Sequence, residues 1–143
     1  MFGAMAAEAV FTAARLRVAD LLGEGQRGGA AIAKEIGADE GALTRLLRAL
    51  AALELVSEPE PAQFGLTEAA QLLRSDRPES MHAFVRMFGD PTMLSAWREL
   101  DTAVRTGEAT FDKVYGTSFF EHLSANPELS ELFNSAMRQA PPS

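Results

Sequence analysis

The sequence predicts a mainly α-helical fold that contains a winged helix-turn-helix with a short β-hairpin. Apolar residues recur at spacings of three and four over most of the chain, which is the period of an amphipathic helix. The main interruption holds two short β-capable runs, 55–57 and 63–66, joined by a proline-containing connection. Ala and Leu dominate while aromatic residues make up 8% of the chain, a balance that favours packed helices over a sheet sandwich.

The size of the chain allows one domain or a compact pair of subdomains. At 143 residues with 47% hydrophobic content, the chain can bury a real core. The absence of cysteine excludes a disulfide framework and a thiolate metal site, so we expect a cytoplasmic protein. The apolar N-terminus is interrupted by charges such as Glu8, Arg15 and Asp20 before it could span a membrane, and no membrane partner is expected.

The first segment predicts one long helix from Phe2 to Leu22. Its repeating face consists largely of Ala and Met, which suits close approach of another helix better than a deep single-chain core. We therefore expect this face to pair with a second copy of the chain. The predicted dimer-interface residues are Phe2, Met5, Ala9, Val10 and Ala13.

The middle of the chain predicts the helix-turn-helix. A short helix over 30–36 ends at Gly37, and Asp39 is the predicted N-cap of the next helix. That second helix carries an apolar stripe with helical spacing, formed by Leu43, Leu46, Leu47, Leu50 and Leu53. The hairpin follows, so the order of elements is that of a winged helix.

The second half of the chain is predicted to remain helical. Caps or prolines mark five helix starts, at Thr67, Pro78, Asp90-Pro91, Ser118 and Asn126-Pro127. The predicted stops include Leu73, Gly89, Gly107 and Pro141-Pro142. The helix that begins at Asp90-Pro91 is expected to run unbroken to Gly107.

Two patterns that resemble ligand sites are interpreted structurally. The spacing of Gly23, Gly25 and Gly28 fits a dinucleotide-binding loop, but a helix precedes it where the motif needs a strand, so we expect a flexible connection and no cofactor-binding residues. The helix-turn-helix could present Thr44, Arg45 and Arg48 to DNA. Residues 27–68 nevertheless hold four bases and seven acids, and the whole chain carries a net charge of −7, so no nucleic-acid partner is expected.

Methionine and aromatic residues concentrate in residues 81–97. Core packing or the dimer interface explains most of this cluster, while a thioether and aromatic surface also suits a flat hydrophobic ligand. The candidate substrate-wall residues are Phe88, Met93 and Trp97. His82 and His122 are expected to be surface residues, and their isolation predicts neither a metal site nor a catalytic residue.

Several runs together resemble the N-terminal half of the bacterial and plant S-adenosylmethionine-dependent small-molecule O-methyltransferases. These runs are AARLRVADLL (13–22), AIAKEIGADEGALTRLLRALAALELV (31–56), FGLTEAAQLLRSD (64–76), WRELDTAVRTGEATFDKVYGTSFFEHL (97–123) and ELFNSAM (131–137). The resemblance implies an intertwined homodimer whose first helix crosses to the partner, and a wall of the pocket for a small hydrophobic aromatic substrate. Arg17 and Glu54 stand where members of this family commonly carry glycine.

The resemblance also implies separate roles for three regions of the chain. The expected regions are a dimerisation helix (1–24), a winged-helix-like subdomain (25–76) and a helical segment that completes the dimer and substrate wall (77–143). The family's catalytic Rossmann-like domain, which holds S-adenosylmethionine and the catalytic base, is expected to be absent, so this chain alone is expected to bind no cofactor and to be non-catalytic. The alternatives are a winged-helix transcriptional regulator, a stand-alone accessory or pseudo-enzyme subunit, and a truncated enzyme.

Overall fold

The computed structural model describes residues 2–140. Within them lie ten α-helices, one 3₁₀ helix and three short strands, so the predicted mainly α fold with a β-hairpin is confirmed. The helices are α1 Gly3–Arg15, α2 Val18–Leu22, α3 Gly29–Ile36, α4 Glu40–Ala52, α5 His82–Phe88, α6 Pro91–Trp97, α7 Leu100–Thr106, α8 Phe111–Tyr115, α9 Phe119–Ala125 and α10 Pro127–Gln139. The strands are β1 Gln26–Gly28, β2 Val56–Glu60 and β3 Gln63–Leu66, and the 3₁₀ helix spans Ala69–Leu73.

The winged helix forms around the predicted leucine stripe. The carboxylate of Asp39 accepts a hydrogen bond from the backbone N–H of Ala42 at 2.8 Å, which confirms it as the N-cap of α4. Gly37 ends α3 in the left-handed conformation, as predicted. The buried side chains of α4 pack with those of α3 and the sheet in one core that includes Ile32, Leu43, Leu47, Leu50 and Phe64.

The glycine-rich connection is more ordered than predicted. Gln26–Gly28 forms β1, which pairs antiparallel with β3 and gives a three-stranded sheet in the order β1-β3-β2. The expectation of a flexible connection was therefore wrong for these three residues. Pairing with a strand almost 40 positions away is a long-range effect that the local glycine spacing does not encode.

The first helix is broken, where the sequence predicted one continuous element. α1 ends at Arg15 and α2 begins at Val18, because Arg17 adopts the left-handed conformation at φ 56°. This conformation favours glycine, in keeping with the family pattern at Arg17. The side chain of Arg17 donates to Asp20 and Ser75 across the break. Glu54 behaves in the same way, at φ 62° just after α4.

The left-handed conformation of Glu54 predicts a stabilising substitution. Glu54→Gly is expected to raise the free energy of unfolding by about 0.5–1 kcal/mol, because glycine reaches this conformation without the steric cost paid by a side chain. Urea unfolding measures the change. Ala49→Gly, at an exposed position inside α4, is the matched control and is expected to lose about 0.5–1 kcal/mol. A destabilised Glu54→Gly variant would contradict this account of the turn.

Three other predicted helix features were wrong. Thr67 does not cap a helix; its hydroxyl donates to the backbone oxygens of Glu54 and Leu55, and the 3₁₀ helix follows. Pro78 lies in a turn ahead of α5, which begins only at His82. The predicted helix from Asp90 to Gly107 is interrupted between Trp97 and Leu100 and so forms α6 and α7.

The other predicted caps are confirmed. The side chains of Asp90 and Ser118 accept from the backbone N–H groups of Thr92 and Glu121, and Pro127 opens α10. Gly107 closes α7 in the left-handed conformation. The predicted stop at Pro141-Pro142 lies outside the described residues.

Helix α5 holds the first and last parts of the chain together, since both α1 and α10 pack against it. His82 at its start is buried, and its ring Nε2 lies 2.9 Å from the backbone oxygen of Ala14 in α1. The prediction of a surface histidine was therefore wrong, because the carbonyl of α1 supplies the hydrogen bond that a buried ring needs. At the other end of α5, Gly89 lies directly against Phe11.

Candidate functional site

An apolar groove lies between the short helices that follow α5. We define this apolar groove by its main lining residues, Met93, Ala96, Trp97, Leu100, Phe111 and Phe119. Its volume is about 340 Å³, which is in the range of small-molecule sites. The hydroxyl of Thr110 at its wall donates to the backbone oxygen of Ala96 at 2.9 Å, so this polar group is already satisfied.

Aromatic rings support one side of the groove. The ring of Phe111 packs edge-to-face on Phe119 at a centroid distance of 5.2 Å and lies 4.6 Å from Tyr115. The hydroxyl of Tyr115 donates to the backbone oxygen of Thr92, which ties α8 to α6. Such ring pairs have defined geometry and hold the wall in place. The groove therefore suits a flat apolar group.

The structure brings together two of the three predicted substrate-wall residues. Met93 and Trp97 both line the groove. Phe88 does not; it stacks on Phe84 at 4.7 Å at the end of α5. The sequence reasoning did not name Ala96, Leu100, Phe111 or Phe119. Helical spacing from Met93 to Ala96 and Leu100 would have found the first two, whereas Phe111 and Phe119 come from separate helices.

The predicted dimer-interface residues divide by burial. Phe2 and Met5 are each 66% exposed and lie three residues apart at the start of α1, so they form an exposed apolar patch. Ala9 and Val10 are half-buried, and Ala13 is buried in the core of its own chain. The N-terminal half of α1 thus presents free apolar surface, while its C-terminal half anchors the helix.

A second recess, of about 800 Å³, has mixed polarity. Its lining includes Arg86, Asp90, His122 and Glu128. The carboxylate of Asp90 is engaged in capping α6, and the ring of His122 packs on Tyr115 at 4.7 Å. His122 is half-buried by this packing and keeps part of its surface in the recess, so it is less exposed than a typical surface residue. No hydrogen bond joins the ring of His122 to the carboxylate of Asp90 or of Glu128 in this recess.

The electrostatics of the winged helix do not suit DNA. Arg48, on the second helix of the helix-turn-helix, donates to the carboxylate of Glu58 on the wing at 3.1 Å. This bond raises the pKa of Arg48 and turns its charge toward the protein rather than a phosphate. The second acidic residue of the wing, Glu60, is exposed. Nothing in this geometry favours the alternative of a DNA-binding regulator.

The same ion pair predicts a pH dependence. Hydrogen bonds from Arg48 and from the backbone N–H of Ala62 lower the pKa of Glu58 below its ordinary value of 4.5. The unfolded chain therefore binds this proton more readily, so the contribution to stability is present above the ordinary pKa and is lost as the pH falls through the lowered one. Urea unfolding at pH 7 and pH 3 is expected to show a smaller loss for Glu58→Gln than for the wild type.

Glu60→Gln is the matched control for this test, since Glu60 lies on the same strand. It should retain the wild-type difference between pH 7 and pH 3. Equal pH dependence in Glu58→Gln and the wild type would show that the Arg48–Glu58 pair does not stabilise the wing.

Two further features are absent from the described residues. Within residues 2–140, no three His, Asp or Glu side chains lie close enough together to hold a metal ion. None of the helices in that same range is both long and apolar enough to cross a lipid bilayer.

Comparison with known proteins identifies the family. The family model described as the O-methyltransferase dimerisation domain matches residues 1–76, which is more than half of the chain. The chain belongs to this family. The dimerisation domain is 45% identical over 140 residues to the O-demethylpuromycin O-methyltransferase of Streptomyces alboniger, covering 98% of this chain and 37% of that protein. The chain therefore spans well under half of the length of this relative.

Solved structures agree with this assignment. The structure titled LaPhzM has a TM-score of 0.88 and 36% identity, covering 94% of this chain and 40% of that chain. The O-methyltransferase NcsB1 from neocarzinostatin biosynthesis, in complex with S-adenosylmethionine and 2-hydroxy-5-methyl naphthoic acid, has a TM-score of 0.75 and 36% identity. That match covers 92% of the dimerisation domain and 41% of the NcsB1 chain. The likeness thus extends beyond residues 1–76 to the helices that form the groove.

Proposed function

We propose that this chain is the dimerisation and substrate-wall domain of an S-adenosylmethionine-dependent O-methyltransferase that acts on a hydroxyl of a small aromatic or polyketide-type molecule. The observation that carries the proposal is the apolar groove, which lies on a domain of the O-methyltransferase dimerisation family. In this proposal the domain is non-catalytic alone, and the chemistry belongs to the complete enzyme.

The homodimer uses the exposed part of the first helix. Phe2 and Met5 contact the second copy, and the half-buried Ala9 and Val10 extend that contact. Ala13 supports the helix from inside, because its side chain is already covered by its own chain. Removing apolar side chains from water drives this association.

A flat hydrophobic ring of the substrate binds in the groove, in contact with Met93 and Trp97. Two similar proteins support an aromatic substrate class. One is named O-demethylpuromycin O-methyltransferase, and the other, NcsB1, was solved in complex with 2-hydroxy-5-methyl naphthoic acid. Phe88, outside the groove, extends the same wall where the rest of the enzyme would enclose the substrate. The three sequence regions, 1–24, 25–76 and 77–143, then serve as dimer helix, scaffold and wall.

S-adenosylmethionine belongs to the complete enzyme. Solved relatives are complexes with this cofactor or with S-adenosylhomocysteine, and this chain covers 41% of each of them. In residues 2–140 the only sheet is antiparallel, whereas a Rossmann-like cofactor site needs parallel strands and a glycine-rich turn. We infer that the cofactor is held by parts of the enzyme outside this chain.

Two titrations test the proposal. Trp97 is the single tryptophan of the chain and lies in the groove, so its fluorescence is expected to change on addition of 2-naphthol. Isothermal titration with S-adenosylmethionine is expected to give no heat of binding. Tight binding of S-adenosylmethionine would contradict the assignment of the cofactor site to parts of the enzyme outside this chain. An unchanged Trp97 spectrum would contradict the role of the groove as a substrate wall.

A further inference from the structure

Thr110 places a buried polar side chain in the wall of the apolar groove. It is only 9% exposed, so little of it meets water. Of the side chains that line the groove within residues 2–140, only that of Thr110 carries an oxygen atom. A polar atom removed from water costs free energy unless another group forms a hydrogen bond with it. The hydrogen bonds of this hydroxyl therefore influence which ligand groups the groove accepts.

The proton of the Thr110 hydroxyl is already used within the protein. Thr110 Oγ1 donates to the backbone oxygen of Ala96 at 2.9 Å, and Ala96 lies in the last turn of α6. This bond fixes the direction of the O–H group. Because a hydroxyl has a single proton, Thr110 cannot also donate to a ligand.

The oxygen of the same hydroxyl keeps its capacity to accept. A hydroxyl oxygen has two lone pairs, and each can accept a hydrogen bond. Thr110 directly precedes α8, a position from which threonine commonly accepts from a backbone N–H group of the helix. Its side chain makes no such bond, and its one side-chain hydrogen bond within residues 2–140 is the donation to Ala96. The groove wall thus holds an oxygen that can accept but not donate.

This oxygen is held in place by bonds between α6 and the segment around α8. Besides the bond from Thr110 to Ala96, the hydroxyl of Tyr115 donates to the backbone oxygen of Thr92 at 3.1 Å. The two bonds join the same pair of segments at two points. An acceptor held in this way loses little further freedom when a ligand binds to it.

We propose that Thr110 is a specificity-determining residue of the groove, and that it selects aromatic rings that carry a hydrogen-bond donor. The inference rests on the proposed function, because it takes the occupant of the groove to be an aromatic ring. A hydroxyl or amino group on that ring donates to Thr110 Oγ1. A ring substituent without a proton would instead bring its own lone pairs against those of Thr110, and neither group would gain a partner.

Removal of the oxygen tests this selection. Thr110→Val loses the hydroxyl and keeps the branched shape of the side chain. The whole chain is dialysed to equilibrium against 2-naphthol and, separately, against 2-fluoronaphthalene, whose fluorine occupies the same ring position and cannot donate. The ratio of dissociation constants, 2-fluoronaphthalene over 2-naphthol, is expected to fall roughly fivefold from the wild type to Thr110→Val, which is the effect of one ordinary hydrogen bond.

The ratio separates the loss of an acceptor from a merely structural effect. Loss of the bond to Ala96 would alter the fit of both rings alike, and the ratio would stay the same. Thr110→Ser is the matched control, since it keeps the hydroxyl and is expected to retain the wild-type ratio. Thr110→Ala also lacks the oxygen and should lower the ratio as Thr110→Val does. Circular dichroism verifies that each variant folds.

The outcomes distinguish this inference from the proposed function. A wild-type chain that binds neither ligand refutes the groove as a substrate wall. If the wild type binds both ligands and the ratio is unchanged in folded Thr110→Val or Thr110→Ala, the groove stands and selection by Thr110 is overturned. A ratio that falls equally in Thr110→Ser would also overturn the inference, because that variant retains the acceptor.

Discussion

Gly89→Ala is expected to lower the free energy of unfolding by about 1–3 kcal/mol, the usual effect of overpacking a tight contact. A Cβ at position 89 would lie 2.5 Å from Cγ and 2.6 Å from Cδ1 of Phe11. Since the backbone of Gly89 has φ −90°, alanine could adopt it without strain, and the cost comes from the clash alone. Urea unfolding measures the change.

A double substitution isolates the contact between Gly89 and Phe11. Phe11→Ala in the Gly89→Ala background should cost less than in the wild type, because removal of the ring also relieves the clash with the Cβ added at position 89. Gly25→Ala is the control, since its Cβ would meet no atom within 4 Å. Additive effects of the two substitutions would contradict a direct clash. This contact lies where α1, the helix next to Phe2 and Met5, packs against α5.

Leu47→Ala is expected to lower stability by about 2–5 kcal/mol, as is usual for the loss of a fully buried leucine. Leu47 lies at the centre of the core that joins α3, α4 and the sheet. Its truncation would leave a cavity that the surrounding side chains fill only in part. The matched control, Leu72→Ala, removes the same atoms from an exposed position. It should lower the free energy of unfolding by less than about 1 kcal/mol. Similar losses for the two variants would contradict this core.

Local signals predicted most of the fold because they act within one or two helical turns. The leucine stripe on α4, the cap at Asp39 and the left-handed Gly37 all depend on near neighbours. The features that the sequence reasoning missed depend on distant contacts. Gln26–Gly28 becomes a strand only because β3 lies beside it, and His82 is buried only because α1 supplies a carbonyl.

The candidate site was predictable in part for the same reason. Met93 and Trp97 lie one turn apart on α6, so their periodicity identified a common face. Phe88 is also a large apolar residue, but it belongs to α5. No local sequence signal indicated that α5 and α6 present their apolar residues to different parts of the structure. Phe111 and Phe119 reach the groove from α8 and α9, and only the packing of these short helices brings them together.

Two parts of the structure carry the proposed function, the N-terminal part of α1 and the apolar groove. A rigid winged helix anchors α1 through Ala13 and the core, which leaves its N-terminal apolar tip free. The helices after α5 form the apolar groove. The hydroxyl of Thr110 in its wall already donates to the backbone oxygen of Ala96. The homodimer proposed above would cover the exposed N-terminal part of α1.

Sedimentation equilibrium of the wild-type chain at micromolar concentration tests this account most directly. The account predicts a species of twice the 15.4 kDa protomer mass, which dissociates on dilution. A stable 15.4 kDa monomer throughout the micromolar range would contradict it.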